Sequence, residues 1–109
     1  MDDQTMRAVR AAVAWLDEHQ GTGREQQTIR ILKLTEEAGE AARAWIGATG
    51  QNPRHAVTHS VDDVAAELAD TAITALVAIE SLGCDANQVM ADCAAKILAR
   101  IGRSPAGVD

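Results

Sequence analysis

Apolar residues recur at helical spacing in four stretches of the chain, which short polar or glycine-containing segments separate. In the first stretch the apolar positions share one helical face and are Met6, Val9, Val13 and Leu16. The glycines of HQGTG (19–23) stand where helices usually end. The pattern therefore predicts a first helix that ends within this segment.

The second stretch begins near residues 24–27 and carries apolar residues as far as Trp45. Glycine is the usual residue just beyond a helix, so this second helix should end between Gly47 and Gly50. The segment GQNPRHAVTHS (50–60) contains glycine, asparagine and proline, which are typical of a loop.

The third stretch opens with SVDD (60–63), where the serine can cap a helix and the aspartates favour its positive N-terminus. From residue 64 to 82 the helix is apolar on nearly every side, interrupted mainly by Glu67, Asp70 and Glu80. A helix of this kind is expected to be buried on several faces, and Gly83 should end it.

DANQ (85–88) resembles a capping box at the start of a fourth helix. This helix is expected to pack through Met90, Ala94, Ile97 and Ile101, and residues 102–109 are expected to form a frayed tail. With no internal repeat and no second domain, the sequence predicts a single all-α domain over 1–109, a four-helix bundle-like chain.

The composition supports this fold class and argues against two kinds of partner. Alanine supplies 22 of the 109 residues and there is no Phe or Tyr, which favours closely packed helices over strands. The net charge of −6 argues against nucleic acid, because binding its backbone requires a basic patch. The longest strongly apolar uncharged run, TAITALVAI (71–79), is too short to cross a membrane.

The N-terminal sequence and the two cysteines indicate a cytoplasmic protein. MDDQTMRAVR (1–10) lacks the apolar core of a signal peptide. If Cys84 and Cys93 lie on one helix, they are about 13 Å apart along its axis. That separation is too large for a disulfide, so free thiols in a reducing compartment are the simpler interpretation.

Three glutamates fall within little more than one turn of the second helix, at Glu36, Glu37 and Glu40. Like charges at this spacing repel one another, and only Lys33 and Arg43 stand close enough in the helix to balance them. The pattern therefore suggests that a cation from outside the helix supplies the remaining positive charge.

Glu67 and Asp70 on the third helix have the same i, i+3 spacing as Glu37 and Glu40 on the second. Two such pairs on neighbouring antiparallel helices can converge into a ring of four carboxylates. Without a cation such a ring would be strongly repulsive, whereas Mg²⁺ prefers oxygen ligands of this kind. The sequence thus indicates a divalent metal site.

The histidines do not indicate a redox or zinc site. Di-iron carboxylate bundles use E-x-x-H pairs on two helices, and His19, His55 and His59 stand in no such relation to a glutamate. Each histidine is predicted to be a loop or surface residue. A site with only oxygen ligands favours Mg²⁺ or Mn²⁺ over zinc or a redox-active metal.

The spacing of Glu36, Glu37 and Glu40, followed by Glu67 and Asp70, resembles the MazG-like family of all-α nucleoside triphosphate pyrophosphatases. KLTEEAGE (33–40) looks like the start of that family's motif and DDVAAELADTAI (62–73) like its second half; the resemblance spans roughly residues 24–103. It implies a homodimer or homotetramer that uses Mg²⁺ to hydrolyse a nucleoside triphosphate to a monophosphate and pyrophosphate. Nucleotide-pool house-cleaning is the expected role.

The resemblance also implies a role for each carboxylate. The metal ligands would be Glu37, Glu40, Glu67 and Asp70, with Mn²⁺ as a substitute for Mg²⁺. Glu36 would be a further ligand or would orient the attacking water, so Glu36 and Glu37 are the predicted catalytic residues. These roles agree with general chemistry, because a metal ion lowers the pKa of a bound water and a nearby carboxylate can accept its proton.

Four cations are candidate contacts for the phosphates, namely Lys33, Lys96, Arg100 and Arg103. The last three share a narrow arc of the fourth helix, where they could equally favour its dipole. Lys33 could instead pair with a glutamate one turn away. Many family members have an asparagine near the lysine of the last helix, whereas Ile97 follows Lys96 here. Either tryptophan, Trp15 or Trp45, could stack on a base or fill the core.

Two other functions are open at this stage. One is a non-catalytic oligomerisation or nucleotide-sensing module with a structural cation, and the other is a phosphoribosyl-ATP pyrophosphohydrolase. A dimer is predicted for both of these functions as well. The helix over residues 64–82 is apolar around most of its circumference, and three neighbouring helices of one chain cannot readily cover it.

Overall fold

A computed structural model describes residues 2–54 and 56–103 of the chain. The described residues form four helices and no strand, as predicted for an all-α fold. The helices are α1 (Asp3–Gln20), α2 (Arg24–Thr49), α3 (Val61–Ser81) and α4 (Ala86–Gly102). His55 and, from residue 104 onward, the predicted frayed tail lie outside the described residues.

The helix ends follow the capping residues expected from the sequence. Gly21 and Gly50 adopt φ of 93° and 65°, a conformation that glycine tolerates best, and they end α1 and α2. Ser60 Oγ accepts a hydrogen bond from Asp63 N–H (3.1 Å), and Asp63 Oδ2 accepts one from Ser60 N–H (2.9 Å). This capping box begins α3 and lowers the pKa of Asp63 through the bonds to Ser60. Asp85 caps α4.

The second and third helices form an antiparallel hairpin, and small residues hold them close together. Ala41 and Ala44 of α2 are buried, as are Val64 and Ala78 of α3. Helices with small residues at their contact can approach to about 8 Å. The loop between α2 and α3 packs back against the end of α2. A Cβ added at Gly47 would collide there with the His59 ring.

The first helix covers the other end of this hairpin. Met6 and Val9 are almost fully buried and form a core with Leu76, Val77 and Ala86. The apolar face predicted for α1 therefore packs as expected, mainly against the C-terminal half of α3.

A buried arginine, Arg30, joins α1, α2 and α3. Only 5% of its surface is exposed, and its guanidinium donates to Asp17 Oδ1 (2.6 Å), Ser81 Oγ (3.1 Å) and the Gly21 carbonyl (2.9 Å). Breaking a buried charge pair is costly, so this network fixes where the hairpin meets α1.

The fourth helix extends away from the other three. Ala86 is its only buried residue, so the prediction that it packs through Met90, Ala94, Ile97 and Ile101 is wrong for this chain on its own. The Cα radius of gyration is 17.3 Å, compared with about 13 Å for a compact domain of this size. The described helices thus form a three-helix body with one protruding helix.

Two smaller observations complete the fold. Within the described residues no helix combines the length and the apolar character needed to cross a membrane. Both cysteines are free thiols on the surface, with Cys84 in the turn before α4 and Cys93 within α4.

Candidate functional site

Five carboxylates form two adjoining groups near the middle of the α2–α3 hairpin, and Glu40 is not grouped with Glu67 and Asp70 as the predicted ring of four would require. We call Glu36, Glu37, Glu40, Glu67 and Asp70 the carboxylate cluster. One oxygen each of Glu37, Glu67 and Asp70 lies within 4.8 Å of the others, and the same holds for Glu36, Glu37 and Glu40. Glu37 belongs to both groups, so it links the acidic residues of α2 to those of α3.

The cluster extends from the helix contact out to solvent. The Glu37 side chain is 14% exposed, Glu40 and Glu67 are also partly buried, and Glu36 and Asp70 are exposed. The close approach of α2 and α3 at Ala41 and Ala44 explains why side chains from both helices can meet here. An ion among them would therefore have protein on one side and water on the other.

One oxygen of the cluster lacks any partner. Glu67 Oε2 is buried and accepts no hydrogen bond. The nearby hydroxyl of Thr71 does not serve it, because that hydroxyl donates to the Glu67 backbone carbonyl (2.9 Å). A buried carboxylate oxygen without a donor or a cation is costly. The site thus has a place for a positive group.

Lys33 partly balances the cluster. Its Nζ lies 3.1 Å from Glu36 Oε1 and 3.7 Å from Glu37 Oε1. The hydrogen bond to Glu36 raises the pKa of Lys33, and the charges of the neighbouring glutamates add to the effect. In the described part of the chain no other lysine or arginine forms an ion pair with the cluster, so one cation faces five carboxylates.

A cavity of about 470 Å³ opens beside Lys33 and Glu36. We call it the junction cavity because α1, α2 and α3 all contribute to it. Its walls combine aliphatic side chains with a few polar ones, from Leu16, Gln20, Ile29, Arg30, Lys33, Glu36, Ile73, Thr74 and Val77. This volume is within the usual range for small-molecule sites.

The other predicted substrate contacts do not reach the cluster within one chain. Lys96 and Arg100 lie on the protruding α4 and Arg103 caps its end, and all three are exposed. None of them forms an ion pair with a described carboxylate. Of the predicted phosphate contacts, the structure therefore places only Lys33 at the cluster.

The two tryptophans also lie away from the junction cavity walls. Trp15 is half exposed and stacks on His19, with ring centroids 4.0 Å apart. Trp45 lines a different cavity between α2 and α3. Neither residue occupies the core, and neither lines the junction cavity.

Sequence reasoning missed Arg30 and the junction cavity. A signal for the arginine was present, because Arg30, Leu34, Glu37 and Ala41 follow one helical face that the structure turns inward. The cavity had no such signal, since it depends on the angle at which α1 crosses the hairpin.

Comparison with protein-family models, with curated proteins and with solved structures finds no match to this chain. The function proposed below is therefore inferred from the motifs, the carboxylate cluster and the junction cavity.

Proposed function

We propose that this protein is a Mg²⁺-dependent nucleoside triphosphate pyrophosphohydrolase of the MazG-like type. It would add water across the anhydride between the α- and β-phosphates and release a nucleoside monophosphate and pyrophosphate. The observation that carries the proposal is the unpartnered Glu67 oxygen within carboxylates contributed by two helices. An oxygen-only ligand set with a buried, unsatisfied oxygen fits a hard divalent cation.

The proposal gives each carboxylate a role. Glu37, Glu67 and Asp70, whose oxygens lie within 4.8 Å of one another, would hold the metal together with Glu40, and Mn²⁺ could substitute for Mg²⁺. When bound, the metal supplies charge neutralisation at the phosphate oxygens and a lower pKa for water. Glu36, which is exposed at the edge of the cluster, would orient the attacking water and accept its proton.

Lys33 and the junction cavity would bind the rest of the substrate. The ammonium of Lys33 lies between the cluster and the cavity. It could release its bond to Glu36 and donate to a phosphate oxygen of the substrate instead. The aliphatic walls of the cavity offer a dry surface for the nucleoside. Hydrolysis of the anhydride then occurs where the triphosphate passes the carboxylates.

Self-association is part of the proposal. The phosphate contacts predicted at Lys96, Arg100 and Arg103 would come from another subunit of a homodimer or homotetramer, since α4 leaves its own cluster uncovered.

The direct test is a panel of standard and modified nucleoside triphosphates, with phosphoribosyl-ATP included. Purified protein is incubated with Mg²⁺, Mn²⁺ or EDTA, and both the monophosphate and pyrophosphate are quantified. We expect equimolar products from at least one substrate, only in the presence of metal. Turnover of phosphoribosyl-ATP alone would assign the protein to that related activity instead.

A second candidate is a non-catalytic module with a structural cation. This candidate is favoured because Lys33 is the one cation paired with the cluster in the described chain. A triphosphate carries several negative charges, and Lys33 alone offers it little positive charge. In that case Mg²⁺ would raise the unfolding temperature by mass action, while no nucleotide in the panel would be hydrolysed.

A further inference from the structure

Another cavity, of about 530 Å³, lies where the loop between α2 and α3 packs against the end of α2. We call it the loop cavity. The polar side chains in its walls are those of Arg43, Asn52, Thr58 and His59, and none of the described residues that line it is acidic. Its volume is within the usual range for small-molecule sites. The loop cavity therefore differs from the junction cavity, which includes a glutamate.

Arg43 brings an unpaired positive charge to this cavity. The protein has 16 acidic and 10 basic residues, yet Arg43 forms no ion pair with a carboxylate of the described chain. By contrast, Arg10, Arg30 and Lys33 each pair with at least one carboxylate. A guanidinium presents five donors in a planar fork, which suits the oxygens of a phosphate group.

The loop adds two further donors to the same cavity. Asn52 Oδ1 accepts a hydrogen bond from Arg54 N–H (3.0 Å), so the amide NH₂ of Asn52 remains for a ligand. Thr58 Oγ1 lies 2.9 Å from Nδ1 of His59, which leaves the other ring nitrogen, Nε2, for a ligand. Donors from α2 and from the loop thus line one cavity, and such a set fits an anion.

The loop is held against α2 before any ligand binds. The Thr58 N–H donates to the Gly47 carbonyl (3.0 Å), and the absence of a side chain at Gly47 leaves room for the His59 ring. A site whose donors are already held in place loses less free energy on binding than one that must be ordered by its ligand.

Arg43 lies on the same face of α2 as two members of the carboxylate cluster. It follows Glu40 by three residues and Glu36 by seven, and residues at these spacings share a helical face. At the rise of an α-helix, Arg43 is about 4.5 Å beyond Glu40 and about 10 Å beyond Glu36 along the axis. Lys33 and the junction cavity lie at the other end of this face. The cluster therefore lies between the two cavities.

We propose that the loop cavity binds the pyrophosphate end of the nucleoside triphosphate, with Arg43 as its main charged contact. This inference rests on the proposed function, in which the nucleoside lies in the junction cavity and the triphosphate passes the carboxylates. The β- and γ-phosphates extend along α2 to Arg43, where the donors of Asn52 and His59 also meet them. Arg43 thus supplies, within one chain, positive charge that Lys33 alone does not.

The loop cavity acts on the group that leaves. Water forms the new bond to the α-phosphorus, and its proton passes to Glu36. The bond from that phosphorus to the bridging oxygen breaks, and the electron pair leaves with pyrophosphate. Negative charge grows on the leaving group as this bond breaks, and donors held in place beside it stabilise that charge.

Binding of inorganic pyrophosphate to the nucleotide-free protein tests the site without catalysis. Calorimetric titrations, with Mg²⁺ in both solutions, compare the wild type with Arg43→Gln and Asn52→Asp. The second variant keeps the acceptor for Arg54 N–H but replaces a donor with a negative charge. Each should bind pyrophosphate about tenfold more weakly or worse, because a charge-assisted or neutral donor is lost. Circular dichroism should be unchanged.

Arg7→Gln is the matched control. Arg7 is exposed on α1 and forms no ion pair in the described chain, so the variant removes the same charge far from the loop cavity. It should bind pyrophosphate as the wild type does. Three results would overturn the proposal: no saturable binding to the wild type, wild-type affinity in Arg43→Gln or Asn52→Asp, or equal loss in Arg43→Gln and Arg7→Gln.

Product inhibition separates this inference from the proposed function. With a triphosphate that the protein hydrolyses, Arg43→Gln should raise the inhibition constant of pyrophosphate about tenfold and leave that of the monophosphate product unchanged. Hydrolysis with no change in pyrophosphate inhibition, or an equal rise for both products, would overturn the inference and leave the proposed function standing. Arg43-dependent binding of pyrophosphate without hydrolysis of any triphosphate would uphold the site and overturn the proposed function.

Discussion

The α2–α3 hairpin and α4 are both rich in alanine and large aliphatic residues, yet only the hairpin buries its apolar face within the chain. Ala41, Ala44 and Val64 are at most 8% exposed, whereas Ile101 of α4 is 64% exposed. The hairpin helices are joined antiparallel along their length, while the start of α4 is anchored to α1 and points outward. Amphipathic spacing therefore defines which face must be covered, and the geometry at the first residues of the helix decides what can cover it.

The same two regions differ in charge. The hairpin contains two adjoining groups of carboxylates, one of which includes the unpartnered Glu67 oxygen, while α4 and its cap contain three exposed cations. Under the proposed function, the metal site would lie on the hairpin and the additional phosphate contacts on α4 of another subunit.

The largest expected effect comes from removing the carboxylate that links both helices. Metal-assisted charge stabilisation is worth several kcal/mol, so Glu37→Gln should lower kcat/KM for the best substrate by about 10³-fold. The variant should fold at least as well as the wild type without metal, because it relieves repulsion. Steady-state kinetics and thermal unfolding measure both quantities.

Glu18→Gln is the matched control, since Glu18 is exposed on α1 outside the cluster. Equal activity in the two variants would show that the cluster has no part in the reaction.

A second pair of variants measures the difference in packing between the body and α4. Leu76→Ala should lower the free energy of unfolding by about 2–5 kcal/mol, because Leu76 is 5% exposed in the core. Leu98→Ala, at a residue that is 69% exposed, should change it by no more than about 0.5 kcal/mol. Denaturant unfolding tests this, and similar losses in the two variants would contradict the exposure of Leu98.

Much of the fold was predictable because local chemistry determines it. The capping box at Ser60 and Asp63 and the positive-φ glycines Gly21 and Gly50 placed helix ends that the structure confirms. The i, i+3 carboxylates were also readable, since their spacing places them on one helical face and an antiparallel hairpin can bring two such faces together.

The features that could not be predicted from the sequence depend on contacts between residues that are far apart in the chain. Arg30 is buried only because Asp17, Gly21 and Ser81 meet around it, and no local pattern specifies that meeting. The start of α4 is likewise held by Ala86, which is buried in a core with Met6 and Val9 of the distant α1. The sequence showed an apolar stripe on α4 but not that its own body leaves it uncovered.

Lys33 and Lys96 provide a smaller test of the difference between the two regions. Lys33→Met removes a cation that competes for the cluster, so affinity for Mg²⁺ should rise about two- to five-fold, as for the loss of an exposed ion pair. Lys96→Met should leave the metal affinity of the nucleotide-free protein unchanged, because Lys96 forms no ion pair with the cluster and is proposed to contact the phosphates of a bound nucleotide. Calorimetric titration of the nucleotide-free protein measures both, and equal effects would contradict this assignment.

The smallest expected effect concerns the capping box of α3. The folded-state pKa of Asp63 is below the ordinary aspartate value of about 3.9, so its stabilising contribution is complete above that value. The contribution is lost as pH falls through the lowered folded pKa. The unfolding temperature of Asp63→Ala should therefore be slightly below that of the wild type at neutral pH, and the gap should close in strong acid. A gap that persists below that pKa would contradict the prediction.

Binding of Mg²⁺ to the wild type and to Glu67→Gln, measured by calorimetry without nucleotide, tests the central claim most directly. We predict saturable binding to the wild type and to the control Glu18→Gln, and at least about tenfold weaker binding to Glu67→Gln, because a ligand oxygen is lost. Absence of saturable binding to the wild type, or equal affinity in Glu67→Gln, would contradict a metal site shared by α2 and α3.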